Sequence, residues 1–267
     1  MIKIAGTDAN RRIYMGSIET VCLVQARSTS SRLPGKVYRR LPEGGLTVLE
    51  HCIRRLEKAK VGPVYALIPH DDSRMQAFLE ERSLSFIAGP LDDVRARFSI
   101  AAGITGARWI VRATADNPCV DPEFVARSVE EIRKTGADLF AYTGLPLGAA
   151  VEVFASSALQ CQHGPEISDP AEYREHVSLH IKHHPEIYRV LRADSGLPKE
   201  ITSRMRLTVD EERDMELMQV IFGKLGPDFR LSDLLELFAA EPEIFEINAD
   251  VQQRRFPAHL FAHRHSA

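Results

Sequence analysis

Short apolar runs alternate with longer amphipathic stretches over most of the 267 residues. Val21, Cys22, Leu23 and Val24 form a continuous apolar run, the pattern of a strand covered on both faces. A polar loop follows, and then Val48, Leu49, Cys52, Ile53 and Leu56 fall on one stripe of a helix expected over 47–60. The rhythm repeats, with strands expected over 64–68, 85–88, 109–113 and 138–142 and helices over 71–82, 92–104 and 122–134. Asp92 and Asp93 suit the positive end of the second of these helices, and Pro122 suits the first turn of the third. Repeated strand–helix units of this length predict an α/β fold, a mostly parallel sheet of about seven strands with helices on both faces.

Past residue 142 the rhythm breaks. Residues 151–154, a helix over 171–184 and residues 188–193 read as an excursion from the sheet. An apolar stretch over 206–209 and helices over 211–224 and 231–240 return to it. The expected division is an N-terminal extension (1–19), a main domain (20–225) with a projecting arm at about 143–200, and a C-terminal helix with a basic tail (226–267).

Composition narrows the classes. Thirty-four Lys and Arg against 37 Asp and Glu leave a net charge of −3, with no overall pull toward nucleic acid. No apolar run reaches the length of a membrane span, and residues 1–16 lack an apolar leader core, so membrane insertion and secretion are not expected and a cytoplasmic location is. Cys22, Cys52, Cys119 and Cys161 form no C-x-x-C pair, which leaves reduced thiols as the default. Trp109 and Cys119 read as core.

Open parallel sheets bind ligands beyond the carboxyl ends of their strands. After the first strand come Arg27, Ser28, Thr29, Ser30, Ser31, Arg32, Pro34, Gly35 and Lys36: hydroxyls to ring a polyphosphate and three cations to neutralise it. A solvated basic loop has the same composition. Asp116 closes the 109–113 strand and Asp210 ends the 206–209 stretch, each where a hard divalent cation on a phosphate would be ligated. A turn residue suits Asp116 as well, and a helix N-cap suits Asp210. Together the parts are those of a metal-dependent nucleotidyl transfer. His180 and His184 have the spacing of a metal pair without an indicated third ligand, and a solvated or interface helix face accounts for them equally. Arg254, Arg255, His259, His263, Arg264 and His265 make the tail basic, as in a disordered or dimer-contacting end.

Residues 24–37, VQARSTSSRLPGKV, resemble the Q-A-R-x-x-S-T-R-L-P-G-K-V signature of the spore coat polysaccharide biosynthesis protein F family, which stands with the CMP-Kdo and CMP-sialic acid synthetases among the cytidylyltransferases. Five further blocks follow in order: Gly89 to Val94 with Arg97 and Phe98, Val111 to Pro118 with Asp121 and Pro122, Val151 to Phe154, Arg174 to Val177, and Arg206 to Asp210. The resemblance implies a nucleotide-diphospho-sugar transferase fold and transfer of CMP from CTP to a sugar or sugar acid. It implies that the first loop wraps the CTP phosphates through Arg27, Ser31, Arg32 and Lys36, and that Asp116 and Asp210 bind Mg²⁺. Gln25, Ala26, Gly89, Asp93 and Thr114 are the further nucleotide-binding candidates of these blocks, and Gly148, Glu152, Arg174 and His176 the acceptor candidates, with an Arg174–Glu152 ion pair as the alternative for the arm. Homodimerisation through the arm is implied too, and an apolar strand at 151–154 is one that a monomer would expose.

Ala115 replaces a usual glycine, Leu67-Ile68-Pro69 a strand end of small hydroxyl residues, and Ala150 a usual aspartate. Two alternatives therefore stay open: a transferase of the same fold using another nucleotide, and a non-catalytic nucleotide- or sugar-binding module.

Overall fold

A computed structural model describes residues 4–5, 18–42, 44–160 and 170–253. Its strands are β1 (Ile4–Ala5), β2 (Thr20–Gln25), β3 (Val64–Pro69), β4 (Phe86–Gly89), β5 (Trp109–Thr114), β6 (Leu139–Thr143), β7 (Glu152–Ala155) and β8 (Val190–Asp194). They form one sheet in the order β1-β4-β3-β2-β5-β7-β6-β8. The pairs β2–β3, β2–β5, β3–β4 and β6–β8 are parallel; β1–β4, β5–β7 and β6–β7 are antiparallel. Val21 to Val24 are all fully buried, so alternate side chains of β2 meet cover on both faces of the sheet.

The crossover helices are α1 (Val48–Lys58), α2 (Ser73–Glu81), α3 (Val94–Thr105) and α4 (Pro122–Thr135). Thr47 and Glu50 form a capping box on α1, and Asp72, Asp93 and Asp121 accept backbone N–H bonds at the starts of the next three. Five helices follow: α5 (Ala171–Glu175), α6 (Leu179–His183), α7 (Lys199–Thr202), α8 (Glu212–Leu225) and α9 (Leu231–Ala240). Residues of α8 and α9 pack with Leu33, Leu41, Cys119, Leu207 and Val209 in a second apolar cluster. This cluster ties the first loop to the segment that carries Asp210.

The expected mostly parallel sheet is present, with eight described strands because Ile4 and Ala5 pair with Ile87 and Phe86 at its far edge. Three expectations are corrected. Residues 151–154 are not an exposed strand: β7 lies inside the sheet between β5 and β6, with Val153 and Phe154 fully buried. Residues 206–209 are extended but pair with loops, Leu207 N–H donating to Leu147 O (2.7 Å) and Val209 N–H to Asp116 O (2.8 Å). The helix expected over 171–184 is two short helices, interrupted at His176, whose ψ of 85° is not helical. Trp109 and Cys119 are buried as expected, and burial pushes the Cys22 and Cys119 thiols up to about 12. No helix among the described residues is long and apolar enough to cross a membrane.

Candidate active site

β2 and β5 run parallel with Gln25 opposite Thr114, so both chains leave the sheet at the same edge. The loop after Gln25 therefore faces the turn after Thr114 across a cleft of about 640 Å³. Gly35, in the left-handed region at φ 69°, turns that loop into a short 3-10 helix (Lys36–Tyr38) whose first residue enters the cleft.

Lys36 joins the two sequence-predicted aspartates. Its Nζ donates to Asp116 Oδ2 (2.7 Å), Asp210 Oδ1 (3.0 Å) and the Val209 carbonyl (2.6 Å). Thr114 Oγ1 donates to Asp116 Oδ1 at 2.6 Å, orienting that carboxylate. Arg32 pairs with Asp210 Oδ1 at 2.6 Å, and Arg206 donates to Asp210 Oδ2 at 2.8 Å and to Asp214 Oδ1 at 2.9 Å. Burial would raise the Asp210 pKa, but Lys36, Arg32 and Arg206 overcome it and hold the carboxyl below its ordinary value. Asp210 is not the cap of α8: Glu211 occupies that position, with Asp214 accepting its N–H at 2.9 Å.

The cleft brings together Gln25, Ala26, Arg27, Ser31, Arg32 and Lys36 with Thr114, Asp116 and Asp210. Arg27 is exposed and makes no ion pair among the described residues. Across from it stands Arg97, which the motif blocks contain but sequence reasoning did not mark as a site residue. Its guanidinium donates to the carbonyls of Pro90 (2.8 Å) and Leu91 (3.0 Å). Burial first, and then the charge of Arg27, pull its pKa below the usual arginine range, so positive charge here is incompletely offset. Gln25 Oε1 and Arg32 Nη1 are buried with no hydrogen-bond partner among the described residues. Unsatisfied polar atoms beside unpaired cations suit a ligand rich in anionic oxygen.

Other candidates lie outside the cleft's lining. Gly89 packs under Arg97, where a Cβ would meet Arg97 Cγ at 2.6 Å. Asp93 caps α3 through Ala96 N–H at 2.7 Å. Gly148, at φ 95°, lies against Leu207 and Thr208. Glu152 accepts from Ser178 Oγ (2.5 Å), pairs with Lys182 and stands 3.5 Å from Arg112 Nη1. These partners replace the ion pair expected with Arg174. Burial pushes the Glu152 pKa up, and Lys182 and Arg112 more than reverse it, to about 2. Arg174 is exposed, while His176 is half-buried and its pKa lies below the ordinary value through burial.

The expected histidine pair is spoken for. His180 Nε2 lies 2.7 Å from Ala158 O, and His184 Nδ1 2.8 Å from Glu186 Oε1. No group of three His, Cys, Asp or Glu among the described residues has the arrangement of a metal site. The basic tail lies outside the described residues.

A cytidylyltransferase family model matches residues 21–253. Spore coat polysaccharide biosynthesis protein SpsF of Bacillus subtilis (strain 168) is 30% identical over 230 residues, covering 83% of this chain and 94% of SpsF. A cytidylyltransferase structure from Leptospira borgpetersenii superposes with a TM-score of 0.77 at 24% identity, over 90% of this chain and all of that one. CMP:2-keto-3-deoxy-manno-octonic acid synthetase in complex with CTP shares the fold more distantly, with a TM-score of 0.55 at 15% identity over 77% of this chain and 99% of the other.

Proposed function

The chain belongs to the cytidylyltransferase family, and on that premise we propose that it transfers CMP from CTP to a hydroxyl of a sugar or sugar acid, releasing pyrophosphate, in the cytoplasmic supply of surface-polysaccharide precursors. The carrying observation is the pair of carboxylates from separate chain segments, Asp116 and Asp210, converging within 3.0 Å of one ammonium beside a cationic, hydroxyl-rich loop. A site that seats one cation between two hard oxygen donors fits Mg²⁺. Asp116 and Asp210 would hold it, and when bound it supplies charge stabilisation on the phosphate under attack.

The chain's own residues do the positioning. Arg27, Arg32, Lys36 and Arg97 offset the charge on the β- and γ-phosphates, and Ser31 and Gln25 add hydrogen bonds. The acceptor hydroxyl attacks the α-phosphorus, its oxygen forming a new P–O bond as the bond from that phosphorus to the bridging oxygen breaks in line; pyrophosphate leaves with the electron pair and the hydroxyl proton passes to solvent. Catalysis of this kind is orientation and electrostatics, with no covalent enzyme intermediate.

The acceptor enters from the side of Gly148, Glu152, Arg174 and His176. Glu152 stays ionised there, and Ala150 removes the carboxylate common in the family, so the hydrogen bonds offered to sugar hydroxyls differ and the acceptor is not Kdo itself. The chain acts as a homodimer through residues of the arm.

The test is pyrophosphate release with Mg²⁺ and CTP, UTP, GTP or ATP across 3-deoxy-ulosonic acids, nonulosonic acids and sugar phosphates. Release with CTP and an acceptor other than Kdo is expected. Preference for another nucleotide would overturn the cytidine assignment, and turnover of Kdo at roughly 1–10³ s⁻¹ would overturn the acceptor assignment.

A further inference from the structure

We propose that Lys36 is a latch on the divalent-cation seat: with no nucleotide bound, its ammonium fills the place between Asp116 and Asp210, and a triphosphate must draw it away before the protein takes up metal. This rests on the reading of those aspartates as metal ligands.

Three observations carry it. The ammonium has three N–H donors, and three acceptors saturate them: Asp116 Oδ2 at 2.7 Å, Val209 O at 2.6 Å and Asp210 Oδ1 at 3.0 Å. Lys36 is only 9% exposed, so this is a seated side chain and not one sweeping through solvent. Second, both Asp210 oxygens are already taken, Oδ1 by Lys36 and Arg32 and Oδ2 by Arg206. A bare divalent ion gains no carboxylate oxygen there without displacing a cation. Third, the local charges leave no room for two more positive ones. Lys36, Arg32 and Arg206 face Asp116, Asp210, Asp214 and, 3.9 Å from Arg32, Glu211, so an ion added without releasing Lys36 turns one net negative charge into a net positive one.

A triphosphate reverses this balance. Lys36 and Arg32 both line the cleft, with Arg27, Arg97 and Ser31 alongside. Four flexible side-chain bonds let the Lys36 ammonium turn from the aspartates toward phosphate oxygens while its backbone stays in the 36–38 turn. Asp116 and Asp210 are then left with less positive charge, and a divalent ion becomes the group that restores neutrality. The order of events follows: phosphate on Lys36 first, metal on the aspartates second. Metal arriving on the nucleotide obeys the same order.

The experiment is direct Mn²⁺ binding to the full-length, metal-stripped protein without nucleotide, read from the electron paramagnetic resonance of free Mn²⁺. Lys36→Met and the more conservative Lys36→Gln are expected to bind Mn²⁺ roughly tenfold or more tightly than the parent chain, equivalent to about 1.4 kcal/mol. Adding Asp116→Asn is expected to abolish the gain, which locates it at this seat. Equal affinity in parent and both variants would overturn the latch.

A second measurement needs no folded Lys36 deletion. In the parent chain labelled with ¹⁵N-lysine, and assigned with Lys36→Arg, the Lys36 ammonium resonance should move on adding CTP in the presence of chelator and stay in place on adding Mg²⁺ alone. Movement with Mg²⁺ alone, or no movement with any nucleoside triphosphate, would overturn the proposal. Movement with UTP, GTP or ATP but not CTP supports the latch and sinks the cytidine assignment instead.

Discussion

His51 carries an imidazole into the apolar interior with neither ring nitrogen hydrogen-bonded among the described residues, its ring 4.5 Å from that of Phe222. Burial, aided by Arg55 and Arg54, lowers its pKa from 6.5 to about 4. Between those values the unfolded chain holds a proton that the folded chain refuses. Stability is therefore full above pH 6.5 and falls by about 3 kcal/mol as pH drops toward 4. Thermal midpoints over this range should decline, and His51→Leu should flatten the decline; an unchanged slope in the variant would remove His51 as its cause. Glu152 acts lower, its contribution present above pH 4.5 and lost as pH falls toward 2. At the site, Asp116→Asn should slow pyrophosphate release by a factor of roughly 10² or more without changing the fold, checked by kinetics beside circular dichroism. Position made Asp116 and Asp210 readable as candidates: Asp116 follows a strand at the carboxyl edge of the sheet, and Asp210 ends an apolar stretch that reads as a strand but pairs with loops. That Lys36 sits on both was not legible. The contacts span 80 and 174 residues, and nothing local to Lys36 encodes them.

Among elements, the parallel βα units of residues 20–143 were readable, because β2 to β5 are largely buried on both faces and α1 and α4 each bury one apolar stripe. What followed was not. The run at 151–154 announces a strand but carries no mark of its partners, and β7 inserts antiparallel between β5 and β6. Leu207 and Val209 alternate as in a strand, yet their N–H groups go to loop carbonyls of Leu147 and Asp116. Apolar alternation reports burial, not the partner. Gly148 explains why this loop pairing is close. Its φ of 95° is one that side chains rarely adopt, and a Cβ would lie 2.7 Å from the Leu207 carbonyl carbon and the Thr208 nitrogen. Gly148→Ala must push back the segment leading to Asp210. The expected cost is about 1–3 kcal/mol of stability together with weakened CTP binding, measured by denaturant unfolding and calorimetry. Unfolding and binding equal to the parent would show that the two segments part freely.

At the scale of the whole molecule, the sheet ends on one side at β8, whose outer edge has no strand partner among the described residues. Val190, Leu191 and Ala193 are half-buried along it, with Arg192 and Asp194 between and beyond. Charged residues on an edge strand discourage indiscriminate pairing, while Val190, Leu191 and Ala193 pack on the core and leave the outward backbone groups for a partner of matching register. The dimer expected from the arm thus needs a different apolar strand from the one at 151–154, which the protomer buries for itself. β8 lies in the same stretch of chain and is available. A second copy of this chain related by a twofold axis would pair β8 with β8 antiparallel, the isologous arrangement that closes without leaving another edge. The expectation is a dimeric mass in sedimentation at micromolar concentration, with the outward N–H groups of residues 190–194 protected from hydrogen exchange there and losing that protection on dilution. A monomeric mass at micromolar concentration would exclude the dimer. A dimer whose 190–194 amides exchange freely would keep the assembly but move its contact away from the sheet edge.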